Sequence, residues 1–194
     1  MIKGIDVSQL QGSINWRLAV PEISFAFHKV SEGASIKDDR VQDNARACDV
    51  LGLPFGYYHF AYPQRIFGDV ESELSYFKEC LRVLPEPTMG VALDLEKNPD
   101  NLNQEEFGSW ASKFMEGLGQ LFGDEVYVYG SPYFLNRYLP EGHDLGKYKL
   151  WLAEYIDAPE YTQIPWGWVN WHIWQYGTDK VNGIAGECDM DKMR

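Results

Sequence analysis

Two acidic residues stand close together near the middle of the chain, at the end of the segment GVALDLE. Side chains two positions apart in a β-strand point to the same face, so Asp94 and Glu96 are predicted to project together. Neighbouring carboxyl groups drive each other's pKa values apart, which lets one stay protonated as a general acid near neutral pH. The other interpretation of this pair is the polar start of a loop.

Further acidic residues lie close to both ends of the chain. Asp6 belongs to the segment GIDVS, and Asp189 and Asp191 belong to the segment ECDMD. A single aspartate at the end of a strand is more often a cap or a turn residue. If the barrel predicted below closes, however, Asp6 and Asp189 can share a pocket with the central acidic pair.

Aromatic residues make up 15% of the chain, with seven Trp, twelve Tyr and ten Phe. Several lie at predicted strand ends, in the segments YYHF, VYVYGS, WLAEY and WQY. The apolar faces of sugar rings stack on aromatic side chains, and carboxyl groups perform glycosidic chemistry. The combination therefore favours a carbohydrate substrate, whereas Phe77, Trp110 and Phe114 lie on helix stripes and are expected in the core.

Other kinds of active site have little support in the sequence. The four histidines form no H-x-H or H-x-x-x-H pair, which argues against a catalytic zinc site. No G-x-S-x-G motif indicates acyl transfer, and the three cysteines are widely spaced and expected to be buried free thiols. Clustered carboxylates are also what Mg²⁺ or Ca²⁺ prefers, so a metal-dependent hydrolase is the chemical alternative.

Short apolar runs alternate with amphipathic segments through most of the chain, which is typical of repeated strand and helix units. Strands are predicted at residues 2–7, 24–30, 54–60, 90–96 and 126–130. Helices are predicted at residues 38–51, 69–84, 132–138, and from Phe107 to near Gly123. Ser131 is a plausible N-cap of the helix that begins at Pro132.

From Lys149 onward the helical patterns end, and only strands are predicted, at residues 150–154, 171–176 and 187–190. The sequence therefore predicts an α/β fold, an irregular (β/α) barrel with helices missing from the C-terminal strands. An open doubly wound sheet is the alternative. The chain lacks the glycine-rich loops of the nucleotide-binding forms of that fold.

The length of 194 residues is typical of one domain, so residues 1–194 are expected to form a single catalytic domain. The formal net charge of −12 argues against nucleic acid as a partner. A Gram-positive cell wall is also anionic. If the substrate is cell wall, we therefore expect a separate cell-wall-binding module to supply the targeting.

The first residues, MIKGIDVSQLQG, show no basic and apolar pattern of a signal sequence. No apolar run approaches the length that spans a membrane, so no membrane partner is expected. The chain as given is expected to be made in the cytoplasm without a visible signal peptide.

Eight segments resemble, in order, the motifs of the glycoside hydrolase family 25 muramidases, the Chalaropsis-type lysozymes found in phage endolysins and bacterial autolysins. They are GIDVSQLQGSINW, FAFHKVSEG, GYYHFAYP, VALDLE, VYVYGSPYFL, LWLAEY, IWQYG and ECDMD. The resemblance covers nearly the whole chain. It implies hydrolysis of the β-1,4 bond from N-acetylmuramic acid to N-acetylglucosamine in the glycan strand of peptidoglycan, on a modified barrel without a metal or cofactor.

Carried over by position, the resemblance makes Glu96 the general acid and base, with Asp94 beside it. Asp6 and Asp189 would complete the acidic floor of the cleft. The positions that match the sugar site are Tyr58, Tyr129, Trp151 and Gln175, with the register between Tyr127 and Tyr129 open.

Two further positions match the family's K-x-x-E-G segment, where Lys29 and Glu32 are expected to form a supporting charge pair. Departures from the family pattern occur at His28 and Cys188, which stand where aliphatic residues are usual. Neither is expected to touch the chemistry.

The resemblance suggests retention of anomeric configuration, through either a carboxylate nucleophile or the 2-acetamido oxygen of the substrate. We favour substrate assistance, with Asp94 orienting the amide, because Asp94 and Glu96 share one strand face and would approach the sugar from the same side. A function of another class is also considered, a wall-glycan-binding module with weak or no catalysis. The sequence leaves open whether the protein is a phage endolysin released through a holin or an exported autolysin.

Overall fold

A computed structural model describes residues 1–194 and contains nine β-strands and five α-helices. The strands are β1 (Ile2–Val7), β2 (Phe25–Glu32), β3 (Ile36–Lys37), β4 (Phe55–Phe60), β5 (Val91–Asp94), β6 (Val126–Gly130), β7 (Lys149–Ala153), β8 (Ile173–Asp179) and β9 (Cys188–Met193). The helices are α1 (Trp16–Ala19), α2 (Val41–Leu51), α3 (Asp69–Leu81), α4 (Gln104–Phe122) and α5 (Pro132–Tyr138). No helix is both long and apolar enough to cross a membrane.

The strands form one closed sheet, because β1 pairs with β2 on one side and with β9 on the other. The parallel strands of the barrel are β1, β2, β4, β5, β6, β7 and β8, whereas β9 runs antiparallel to both β8 and β1. The short β3 only extends the end of β2. The predicted barrel is confirmed, and the open sheet is wrong.

Helices follow β4, β5 and β6 directly, and α2 follows the β2–β3 hairpin. Between β7 and β8 the chain forms only a 3-10 turn at Pro159–Tyr161, and no helix separates β8 from β9. This agrees with the predicted loss of helices near the C-terminus. The last segment closes the barrel by pairing with β1 instead of by adding another parallel unit.

Local sequence signals explain where the helices begin and end. Asn103 caps α4 by accepting a hydrogen bond from the amide of Glu106, whose carboxylate accepts one from the amide of Asn103. Ser131 caps α5 by accepting a single hydrogen bond from the amide of Phe134, with Pro132 in the first turn as predicted. At the end of α2, Gly52 has a φ of 68°, a left-handed conformation that glycine adopts without strain.

Some boundaries differ from the predicted ones. The strand predicted at 90–96 ends at Asp94, because the chain leaves the ladder there and only the amide of Leu95 still bonds to the carbonyl of Tyr129. The helix predicted at 69–84 ends at Leu81. Strand β8 extends past its predicted end to Asp179, which pairs with Cys188 of β9. Strand β9 extends past its predicted end to Met193, which pairs with Ile2 of β1 and Ile173 of β8.

Alternation along the strands separates two hydrophobic layers. The outer layer packs between the strands and the helices and includes the predicted core residues Phe77, Trp110 and Phe114. A smaller cluster fills the barrel interior, and its members are Phe25, Phe27, Tyr58, Met89, Ala92, Tyr127, Tyr129, Trp151 and Ile173. All three cysteines are buried and free.

Two glycines make room for the rings in the barrel interior. A Cβ atom added at Gly56 would lie 2.3 Å from the ring of Phe27, and one at Gly4 would lie 2.3 Å from the ring of Phe25. The interior is therefore closely packed beneath the end of the barrel at which the parallel strands finish.

We expect Gly56→Ala to destabilise the protein by about 1 to 3 kcal/mol, because the new methyl group would force the Phe27 ring out of its position. Urea denaturation measures this loss. Gly142→Ala is the matched control, since its new methyl group would meet nothing within 4 Å. Equal stability of the two variants would contradict the close packing described for the interior.

Candidate active site

A cleft of about 270 Å³ opens at the carboxyl ends of the parallel strands. This is the end of a barrel at which enzymes of this architecture hold their working residues. All eight residues predicted for the site line the cleft, namely Asp6, Tyr58, Asp94, Glu96, Tyr129, Trp151, Gln175 and Asp189.

Asp94 and Glu96 lie side by side in this cleft. Asp94 is the last residue of β5 and is 4% exposed, whereas Glu96 follows the strand and reaches the solvent of the cleft. Burial and the neighbouring Glu96 raise the pKa of Asp94 well above its usual range. Partial desolvation by the cleft walls also raises the pKa of Glu96, although a hydrogen bond from Asp94 opposes this. The two groups therefore hold a shared proton at higher pH than ordinary carboxyl groups.

One oxygen of Asp94 is left free by the fold. Its Oδ1 atom is buried and has no hydrogen-bond partner within the protein. A buried polar atom without a partner is unfavourable, and such atoms are often found where a ligand supplies the missing bond. Asp94 can therefore accept a hydrogen bond from a bound substrate.

Asp6 is held by a chain of hydrogen bonds that crosses the barrel. The hydroxyl of Tyr129 donates to Oε1 of Gln175 at 2.9 Å, and Nε2 of Gln175 donates to Oδ2 of Asp6 at 2.7 Å. Burial and the nearby Asp189 raise the pKa of Asp6 to about 8. The chain joins β6, β8 and β1, so each group is positioned by a different strand.

Asp191 is a buried acidic residue that the site prediction omitted. Its Oδ1 atom accepts a hydrogen bond of 2.8 Å from Nε1 of Trp151, and its Oδ2 atom has no partner. Burial and the nearby Asp6 raise the pKa of Asp191 well above its usual range. The alternation in ECDMD could have indicated this, because Asp191 shares a strand face with Asp189.

Asp189 stands opposite Asp6 in the β1–β9 ladder and lies at the rim of the cleft. Its Oδ1 atom accepts a 2.7 Å hydrogen bond from the hydroxyl of Tyr155. The site prediction also omitted Tyr155, which is 56% exposed and lines the cleft. Its place in WLAEY, just beyond the strand end, was the available signal.

The predicted aromatic residues form the floor of the cleft and are less exposed than open stacking platforms would be. Trp151 is 1% exposed, and its ring centroid lies 4.6 Å from that of Phe27 and 5.0 Å from that of Tyr129. Tyr58 packs edge-on against Trp151. Tyr127 lies outside the cleft lining, with its hydroxyl bonded to Glu125, so Tyr129 is the residue of this strand that reaches the cleft.

The remaining predicted features are also located. Lys29 and Glu32 form the expected ion pair, with Nζ and Oε2 2.7 Å apart, and Lys29 lines the cleft. His28 and Cys188 are buried in the protein and do not line the cleft. The acidic side chains do not converge on a common point at which three of them could bind one metal ion.

The chain is similar to known proteins over nearly its whole length. The model of glycosyl hydrolases family 25 matches residues 5–184. The chain is 31% identical over 207 aligned residues to Lysozyme M1 of Streptomyces globisporus, covering 98% of this chain and 67% of the relative.

Solved structures show the same fold. The bacterial lysozyme of Streptomyces coelicolor aligns with a TM-score of 0.85 and 27% identity, covering 99% of this chain and 91% of that chain. The modular autolysin LytC of Streptococcus pneumoniae, solved with a synthetic peptidoglycan ligand, aligns with a TM-score of 0.84 and 21% identity over 98% of this chain and 46% of that chain. At that identity the second likeness shows the fold alone. Because the family model spans residues 5–184, the chain belongs to glycosyl hydrolases family 25.

Proposed function

We propose that this cleft hydrolyses the β-1,4 bond between N-acetylmuramic acid and N-acetylglucosamine, with Glu96 as the general acid. The protein is a peptidoglycan hydrolase of the muramidase type, as its family and its lysozyme relative support. The observation that carries the proposed role of Glu96 is its position beside the buried Asp94, where both carboxyl groups have raised pKa values.

The free oxygen of Asp94 supports substrate assistance. An amide N–H of the 2-acetamido group can donate to the unpartnered Oδ1 of Asp94, which orients the amide oxygen toward the anomeric carbon. Such a bond favours the ionised form of Asp94. The proton shared by the pair is then carried by Glu96, the more exposed partner.

In the first step, Glu96 gives its proton to the bridging oxygen while the amide oxygen attacks the anomeric carbon and the glycosidic bond breaks. This produces a cyclic oxazolinium ion and releases the leaving sugar as an alcohol. In the second step, the Glu96 carboxylate removes a proton from water as the water attacks the same carbon. The bond between that carbon and the amide oxygen breaks, which opens the oxazolinium ring and restores the acetamido group. Each attack inverts the anomeric carbon, so the two attacks together retain its configuration.

Asp6 and Asp189 complete the proposed acidic floor, and Tyr58, Tyr129, Trp151 and Gln175 are the proposed contacts for the sugar. Residues 1–194 are proposed to form one catalytic domain, since the first and last strands pair directly. The proposed site of action is the bacterial cell wall, reached by holin release or by export. The chain has a net charge of −12, and a Gram-positive cell wall is also anionic. Because like charges repel, a separate cell-wall-binding module is proposed to supply the targeting.

We expect Glu96→Gln to lower the rate of peptidoglycan lysis by about 10²- to 10⁴-fold, the usual contribution of a general acid. Turbidity loss of purified peptidoglycan measures the rate, and thermal unfolding verifies that the variant is folded. The exposed Glu116→Gln on α4 is the control and should lyse like the wild type.

The same assay with EDTA distinguishes the proposed muramidase from the two alternatives, a metal-dependent hydrolase and a glycan-binding module. Lysis that survives EDTA and is lost in the folded Glu96→Gln variant supports the proposed acid. Sensitivity to EDTA would indicate a metal-dependent hydrolase. Absence of lysis by the wild type would indicate a glycan-binding module.

Substrate assistance predicts that removing the N-acetyl group from the sugar whose anomeric carbon is attacked lowers the rate on the order of 10²-fold or more, because an intramolecular nucleophile is lost. Hydrolysis of matched acetylated and deacetylated glycan fragments, followed by mass spectrometry, measures this. Trapping a covalent glycosyl adduct at Asp6, Asp94 or Asp189 would refute the assisted mechanism and leave a direct carboxylate nucleophile.

Asp6→Asn is expected to stabilise the protein while lowering activity. The folded protein binds the Asp6 proton more tightly than the unfolded chain does, since its pKa is raised to about 8 from 3.8. The stability of the wild type therefore falls as the pH rises from about 4 to about 8. The neutral amide removes this dependence and can still accept the bond from Gln175.

Melting temperatures of the wild type and Asp6→Asn at pH 5 and pH 8 test this prediction. The difference should favour the variant and be larger at pH 8, with each kcal/mol raising the melting temperature by about 2 to 4 °C in a domain of this size. A difference that stays constant or shrinks as the pH rises would contradict the prediction, because it would show that folding does not raise the pKa of Asp6.

A further inference from the structure

Strand β2 contains an irregularity beside the cleft. Lys29 pairs with Tyr58 and Ser31 pairs with His59, so Val30 is an extra residue without a partner in β4. Such a β-bulge changes the direction of the side chains that follow it. Regular alternation would place Lys29 and Ser31 on one face, but Ser31 instead points away from the cleft and bonds to His59.

The consequence of the bulge is that Lys29 and Glu32 come to lie on the same side. Nζ of Lys29 is 2.7 Å from Oε2 of Glu32, and Lys29 lines the cleft together with Phe60. Nζ also lies 4.5 Å from the centre of the Phe60 ring, within the range of a cation–π interaction. The ammonium group is therefore held between an anion and an aromatic ring.

A buried network fixes the bulge from behind. The hydroxyl of Ser31 and Nδ1 of His59 are 2.9 Å apart, and Nε2 of His59 is 2.8 Å from Oε2 of Glu73. Glu73 also accepts a hydrogen bond of 3.1 Å from the amide of Tyr62, and the His59 ring stacks on Phe114. All three members of the network, Ser31, His59 and Glu73, are buried, so β2 has little freedom to slip relative to β4.

Lys29 is the only basic residue among the fifteen that line the cleft, whereas four of them are acidic. We propose that Lys29 is a positioning residue of the active site, whose fixed positive charge favours a singly protonated Asp94–Glu96 pair at neutral pH. This inference rests on the proposed function, because it concerns the acid pair that the mechanism uses.

The positive charge of Lys29 opposes the effect of burial on the pKa values of Asp94 and Glu96. Desolvation favours the neutral form of both acids, and two neutral carboxyl groups would leave Asp94 unable to accept the substrate amide as a carboxylate. The charge of Lys29 lowers the pKa of both Asp94 and Glu96 and so opposes this effect. The mechanism needs one proton on the pair, and Lys29 disfavours the second.

Other charged and titratable groups also surround the ammonium group and set the field in which it acts. They are Asp6 on β1, Glu32 on β2, Asp38 after β3, Tyr58 and His59 on β4, Asp94, Glu96 and Lys97 on and after β5, and Asp189 on β9. Lys97 approaches the same Phe60 ring at 5.9 Å but does not line the cleft.

The test is the pH profile of kcat/KM on soluble glycan fragments at constant ionic strength, for wild type, Lys29→Met and Lys29→Arg. We expect Lys29→Met to move both limbs of the profile to higher pH, because both acids then hold their protons more tightly. Lys29→Arg keeps the charge and should leave the limbs in place. Lys113→Met, an exposed change on α4, is the control for loss of a positive charge elsewhere.

A profile of folded Lys29→Met that coincides with the wild type, even at a reduced rate, would overturn the inference, since a purely structural residue changes rates without moving the limbs. Lys29→Gln serves as a second neutral variant if the methionine variant does not fold. Persistent lysis by Glu96→Gln would instead overturn the proposed function. Unmoved limbs combined with an inactive Glu96→Gln would overturn the role of Lys29 alone.

Discussion

The structure depends on keeping several carboxyl groups together where water is largely excluded. Asp6, Asp94 and Asp191 are each less than 10% exposed at one end of the barrel. Ionising them all would leave like charges close together in a medium that solvates them poorly. The groups cannot separate, because each is carried by a strand that is bonded on both sides within a closed sheet. These groups therefore bind protons more tightly than ordinary carboxyl groups do, as the proposed acid catalysis near neutral pH requires.

The packing beneath the cleft is part of the same constraint. The rings of Phe25 and Phe27 occupy the space that side chains at Gly4 and Gly56 would fill. Trp151 packs on Phe27, and the same indole donates its N–H to Asp191. Because protein interiors are close-packed, a change in the ring layer shifts the carboxyl groups above it. The hydrophobic interior of the barrel therefore positions the acids as well as stabilising the fold.

The sequence predicted which residues line the cleft where the alternation of side chains along a strand decides their direction. The spacing of two residues predicted that Asp94 and Glu96 lie side by side, and both line the cleft. Closure of the barrel predicted that Asp6 and Asp189 lie close together, and they are paired in the β1–β9 ladder. The depth of a side chain in the cleft depends on neighbouring strands, which is why Asp191 was omitted and the burial of Trp151 was not foreseen. The bulge at Val30 could not be predicted either, because the pattern of the segment FAFHKVSE is that of an uninterrupted strand.

The buried network of Ser31, His59 and Glu73 lies behind β2 and close to the cleft, but it adds no net charge there. Burial lowers the pKa of His59 to about 3 and raises that of Glu73 to about 8. At neutral pH one proton is shared by the two groups, and whether it lies on the carboxyl or on the imidazole, the pair has no net charge. The network thus supplies hydrogen bonds that hold the bulge without adding a field of its own. The network behind the strand therefore adds no second anion to the Glu32 carboxylate that is paired with Lys29.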